Sequence, residues 1–87
     1  MTIFTGNITY NSIPLSSGAL RVDNIFGGVS GWNSYVLVFP TVTDAKNGTN
    51  KLGEFNAPFA YVAGQDPLAG CEAELNAKFN TTLTVAS

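Results

Sequence analysis

The chain has 87 residues, of which 11% are charged, with a net charge of −2 and an isoelectric point near 4.6. Its four scattered basic residues, Arg21, Lys46, Lys51 and Lys78, cannot make a phosphate-binding footprint, which excludes nucleic acid as a partner. A single cysteine and no histidine exclude an intrachain disulfide and a structural zinc site.

Period-two alternation of Phe4, Gly6, Ile8 and Tyr10 with Ile3, Thr5, Asn7 and Thr9 predicts a half-buried strand. Asn11-Ser12 reads as a turn. Ile13-Pro14-Leu15 reads as an edge or a connection because of its proline, and Ser16-Ser17-Gly18 as a second turn. Leu20, Val22 and Phe26 alternate with Arg21 and Asp23, which predicts a second half-buried strand. Residues 27–31, Gly-Gly-Val-Ser-Gly, then break the pattern as a flexible loop.

Ser34 to Thr43 is the strongest strand signal. Tyr35 to Phe39 is apolar at every position, as expected of a strand buried on both sides. Asp44 to Asn50 contains Asn47-Gly48 and predicts a hairpin turn. Leu52 to Phe55 and Phe59 to Ala63 are weaker strand candidates. Asp66 as N-cap and Pro67 at the first position open a helix, about 67–79, with Leu68, Cys71, Leu75 and Phe79 as its apolar stripe. Glu74 and Lys78 are spaced for a surface ion pair, and Gly70 weakens the helix by about 1 kcal/mol relative to alanine. Thr81 to Val85 closes the chain as a strand with Leu83 and Val85 on one face. The expected architecture is α+β: one domain over 1–87, a small antiparallel sheet or partial sandwich with the helix packed on it.

Residues that could carry chemistry are few. Without histidine no Ser-His or Cys-His pair can form. Gly28-Val29-Ser30-Gly31-Trp32 approaches a nucleophile elbow but has Trp32 where glycine is needed. Glu72 and Glu74 are two apart on a helix and point to different faces. Asp44 to Asn50 is rich in oxygen ligands, yet Lys46 and Phe55 stand where a calcium loop needs Asp or Asn and Glu. The expectation is a non-enzymatic protein without cofactor or metal. Trp32, Tyr35 and Tyr61 are candidate interface aromatics, or a sugar-stacking platform if they share a face. Cys71 reads as a buried thiol on the helical stripe, or as one half of an intermolecular disulfide.

No apolar run approaches the ~18 residues of a membrane span, and Met1 to Asn7 shows no secretory signal pattern. A domain this small buries only about 60–65% of its unfolded surface. Lacking disulfide and metal, it is expected to draw stability from association, as a homo- or hetero-oligomer. Its neutral Asn- and Thr-rich surface is easily desolvated in a permanent contact.

Ala19-Leu20-Arg21-Val22 before a glycine loop, Trp32 leading into an apolar strand, Tyr61-Val62, and Asp66-Pro67-Leu68 opening a helix with Leu75 and Phe79 run through most of the chain. In these features it resembles small bacteriophage proteins of similar length encoded near virion and tail genes. The resemblance implies a virion structural role, as a tail-fibre or baseplate accessory or a capsid decoration (cement) protein. It also implies other virion proteins as partners, synthesis in the host cytoplasm without a signal peptide, and residence in the virion. The alternative is a small carbohydrate-binding module for the host surface, built on exposed aromatics.

Overall fold

The alternating residues at the start of the chain form β1 (Thr2–Tyr10), and Asn11-Ser12 turns it back into β2 (Ile13–Gly28). Both turn residues have positive φ, 49° and 66°, the left-handed pair that matches the twist of a two-residue hairpin. The computed structural model describes residues 2–86. The remaining elements are β3 (Gly31–Phe39), α1 (Val42–Asn47), β4 (Gly53–Asn56), α2 (Pro67–Phe79) and β5 (Thr84–Val85). The fold is α+β. All five strands pair antiparallel in one sheet of order β4-β3-β2-β1-β5, so α2 carries the chain across the sheet from one edge to the other. Of the two expected forms, small sheet or partial sandwich, it is the single sheet, and among the described residues a short helix, α1, accompanies the expected one.

The two faces carry separate cores. Phe4, Ile8, Leu20, Val22, Val36, Val38, Ala57 and Leu83 pack beneath Cys71 and Leu75 of α2. Ile3, Ala19, Leu37 and Phe39 pack with Ala45 of α1 on the opposite face. The all-apolar run of β3 is thus explained: Val36 and Val38 point to one core, Leu37 and Phe39 to the other. Ile3 departs from the half-buried expectation for β1, since it is buried against the α1 face. Full burial of each large apolar side chain contributes about 1.5–3 kcal/mol, so both faces of the sheet contribute to its stability.

β2 differs most from its sequence reading. The proposed edge, turn and strand are one strand of 16 residues interrupted by two bulges. Between the pairs Gly6–Gly18 and Ile8–Leu15, β2 has one residue more than β1, so Ser16-Ser17 bulges rather than turns. Between Val22–Val36 and Asn24–Tyr35 it again has one residue more than β3, with Asp23 as the extra residue. Each bulge reverses which side chains face α2. Leu15, Leu20, Val22 and Ile25 therefore all serve the α2 core, although the intervals of five and three break strict alternation. Phe26, expected beside Leu20 and Val22, is turned to the other face and is 46% exposed.

Asp44 to Asn50 is a short helix and its exit rather than a hairpin turn. Thr41 caps α1 by accepting from the Asp44 backbone N–H at 3.1 Å, and its hydroxyl donates to the Asp44 carboxylate at 3.0 Å. Gly48, at φ 69°, ends the helix in the left-handed region. Arg21 fastens α1 to the sheet. Its guanidinium makes a two-point fork with Asp23 at 2.7 and 3.0 Å, donates to the Ala45 carbonyl at 2.7 Å, and lies 5.0 Å over the Phe39 ring.

α2 spans the residues expected of it, with Asp66 accepting from the Leu68 N–H at 3.0 Å. Lys78 does not complete the ion pair with Glu74; its ammonium sits 4.9 Å over the Phe55 ring. Phe59 to Ala63 forms only an isolated bridge at Phe59. β5 is two residues long, with Leu83 buried just before it and Val85 61% exposed.

Asp44 also accepts from Thr49 at 2.9 Å and Asn50 at 3.0 Å, and these hydrogen bonds, led by Asn50 and Thr49, hold its carboxyl below the usual aspartate value. A depressed pKa contributes stability above the unfolded-state value of about 3.9 that is lost as pH falls through the folded value. Asp44→Ala should lower the melting temperature at pH 7, and the gap to wild type should narrow on acidification from pH 5 to pH 2.5. Thermal denaturation followed by circular dichroism across that range checks both statements; a gap independent of pH would contradict them.

Candidate functional site

The segments at 24–43 and 55–65 contain no charged residue. The fold brings parts of both to the end of the sheet formed by the β2–β3 hairpin. Gly28 and Gly31 pair there across a two-residue loop, and Val29 at its tip is 81% exposed. Phe26, Tyr61 and Val62 are exposed large apolar side chains in the same two segments.

Trp32 anchors this end. Its backbone exchanges two hydrogen bonds with Phe59, at 2.9 and 3.0 Å, and Ser34 does the same with Ala57, at 3.1 and 2.9 Å. These bonds carry the β4 edge past Asn56 and hold the following loop against β3. The Phe59 ring lies against α2 at Gly70, where a Cβ would come within 2.9 Å of Phe59 Cδ2. The glycine that weakens the helix locally is what lets Phe59 approach it.

Two open grooves share Trp32 as a wall. One, of about 560 Å³, lies among Phe26, Trp32, Pro58, Phe59 and Ala60 and is mostly apolar. The other, of about 440 Å³, runs between the sheet and the start of α2. Val22, Ile25, Trp32 and Leu68 supply its apolar lining, and Asp23, Asn24 and Asp66 its polar groups. Asp23 is held by Arg21, and one oxygen of Asp66 caps α2.

The three sequence-selected aromatics do not form one surface. Trp32 is half-buried on the α2 face, whereas Tyr35 is half-buried on the opposite face beside the Leu37–Phe39 core. Tyr61 is 41% exposed in the loop beyond Phe59. A stacking platform of all three is therefore not assembled. The exposure of Phe26 and Val29 follows from the Asp23 bulge and the hairpin tip, which simple alternation does not show. The three-residue interval between Val22 and Ile25 is the signal that marks that bulge.

Cys71 has no exposed surface and packs in the α2 core with Leu75, which favours the small-hydrophobe reading over the intermolecular disulfide. Burial pushes its pKa up, against a smaller opposing effect from the hydrogen bond with Ser34. Among the described residues no three His, Cys, Asp or Glu side chains converge as a metal-binding group, and no helix is long and apolar enough to cross a membrane.

No protein-family model, curated protein or solved structure matches this chain.

Two outcomes are expected. Gly70→Ala, a change that gains about 1 kcal/mol in an unobstructed helix, should instead destabilise the protein in urea titration. It should also alter Trp32 fluorescence as Phe59 is displaced; a stabilised variant with an unchanged spectrum would contradict the packing. Cys71 in native protein should resist a thiol reagent that modifies it promptly in denaturant, and a non-reducing gel of oxidised protein should show no disulfide-linked dimer.

Proposed function

We propose that the protein works by non-enzymatic assembly, as a structural component of a bacteriophage virion bound to neighbouring virion proteins. The observation that carries the assembly reading is the end of the β2–β3 hairpin beyond Trp32, built from two chain segments, 24–43 and 55–65, that contain no charged residue. Phe26 and Val29 stay exposed there, and Tyr61 and Val62 in the loop beyond Phe59, on a chain too small to spare apolar surface. Such an end is easily desolvated, and a tryptophan fixed by four-point backbone pairing of its strand is a rigid anchor for a contact. The virion assignment comes from the resemblance in Ala19 to Val22, Trp32 and the Asp66-Pro67-Leu68 helix start. The proposal extends to both tail-fibre or baseplate accessory and capsid decoration (cement) roles.

The carbohydrate-binding alternative draws support from one observation, the groove in which Trp32 stands beside Asn24, Asp23 and Asp66. The separation of Tyr35 from Trp32 weighs against it.

Quantitative mass spectrometry of purified particles should find the protein at a fixed copy number. A few dozen copies would mean a tail accessory, and hundreds a capsid decoration protein. Its absence from particles, together with a heat-stable, well-dispersed monomer at micromolar concentration, would overturn the reading.

A further inference from the structure

The far half of β2 has a strand on one side only. Trp32 and Ser34 spend their backbone groups on Phe59 and Ala57, on the side of β3 away from β2. Their partners across the hairpin, Gly27 and Ile25, are therefore non-hydrogen-bonded pairs with β3. The N–H and C=O groups of Ile25 and Gly27 point to the other side of β2, the side taken lower down by β1. β1 reaches only as far as the pair Thr2–Val22, and among the described residues no strand lies beyond it.

Other edges are less open. β4 is guarded by Glu54 and Lys51 and, beyond Asn56, by Pro58, which has no N–H to offer. β1 is covered in part by β5. The Ile25–Gly27 edge carries neither charge nor proline.

This edge also adjoins a groove suited to a side chain. A strand laid antiparallel against Asn24–Gly28, in line with β1, would direct alternate side chains toward α2. There the groove floored by Val22 and Ile25 and walled by Trp32 and Leu68 opens, with Asp66 at its rim. Asp23 is already neutralised by Arg21, but Asp66 has no cationic partner among the described residues.

Building on the assembly reading, we propose that the Asn24–Gly28 edge of β2 is a strand-addition site for an extended peptide segment of a partner protein. The segment places an aliphatic or aromatic side chain against Trp32 and a lysine or arginine near Asp66. Main-chain bonds to Ile25 and Gly27 supply affinity, and the groove and Asp66 supply selectivity.

The test is selection of a random seven-residue peptide library on the full chain, followed by amide hydrogen exchange and chemical-shift mapping with the strongest selected peptide. In the free protein the Ile25 and Gly27 amides should exchange fast, although both lie within a strand. With peptide they should become protected, and selected sequences should alternate apolar residues with a lysine or arginine. Asp66→Asn keeps an N-cap of equal quality and should leave stability unchanged. It should weaken the selected peptide roughly two- to fivefold at low salt and reduce the salt dependence of binding.

Binding that leaves the Ile25 and Gly27 amides unprotected overturns the site, as does a library with no member binding below 1 mM, on the order of −4 kcal/mol. Protection in peptide-free protein that grows with protein concentration would show a second copy on the edge and overturn the partner assignment. The copy-number measurement on particles is independent. Peptide binding with no protein in virions removes the virion reading and leaves the site, and the reverse result does the opposite.

Discussion

Among the described residues, four of β2, Ala19 to Val22, have strands on both sides, and the rest of the fold is arranged around that overlap. β1 holds the first part of β2 and β3 the last part, so the two hairpins extend in opposite directions from a short shared centre. Such a centre has to be buried on both faces. Leu20 and Val22 serve the α2 side and Ala19 the α1 side, while Arg21 replaces an apolar residue with a guanidinium whose donors go to Asp23 and the Ala45 carbonyl. Burying a cation is costly unless its hydrogen bonds are met. Here they are met by the two elements it needs to join, the bulge at Asp23 and the last turn of α1.

The helices solve complementary problems. α2 spans the sheet and closes the larger core, and α1 covers the smaller one where β3 ends. α2 was legible in the sequence because its signals are local and agree with one another: Asp66, Pro67 and a stripe at helical spacing. The central run of β3 was legible for the same reason. α1 was not, because Asn-Gly serves equally well to end a helix or to turn a hairpin. The choice is made by Thr41, whose cap is visible only once Asp44 is seen to reach back to it.

β2 was misread for a different reason. Pro14, the serine pair and the glycines are turn formers in isolation, yet tertiary pairing absorbs the serines as a bulge and the proline at a pair with Thr9. The apolar spacing held the information: Leu15 to Leu20 and Val22 to Ile25 are odd intervals that a strand can reconcile only by bulging. The candidate surface inherited that error. Strict alternation places Phe26 on the face of Leu20 and Val22, whereas the bulge puts it on the other, and parity along β3 puts Tyr35 and Trp32 on opposite faces. The register of β1 on β2, which sets Thr2 opposite Val22, could not be read in advance, since it is fixed by tertiary pairing rather than by local sequence.

The two bulges give this strand an uncommon relation between length and orientation. In an unbulged strand, adding or removing one residue shifts the register of everything beyond it and exposes the core. Here the extra residue at Asp23 already separates an inner segment, fixed by the two cores, from an outer arm that ends in a solvent-facing loop. Loss of that one residue would close the bulge and leave the pairs on either side of it unchanged, with Ile25 still toward α2 and Phe26 still on the opposite face. The bulge is therefore the place in this strand where the chain can lose a residue without changing which side chains the arm shows to its surroundings.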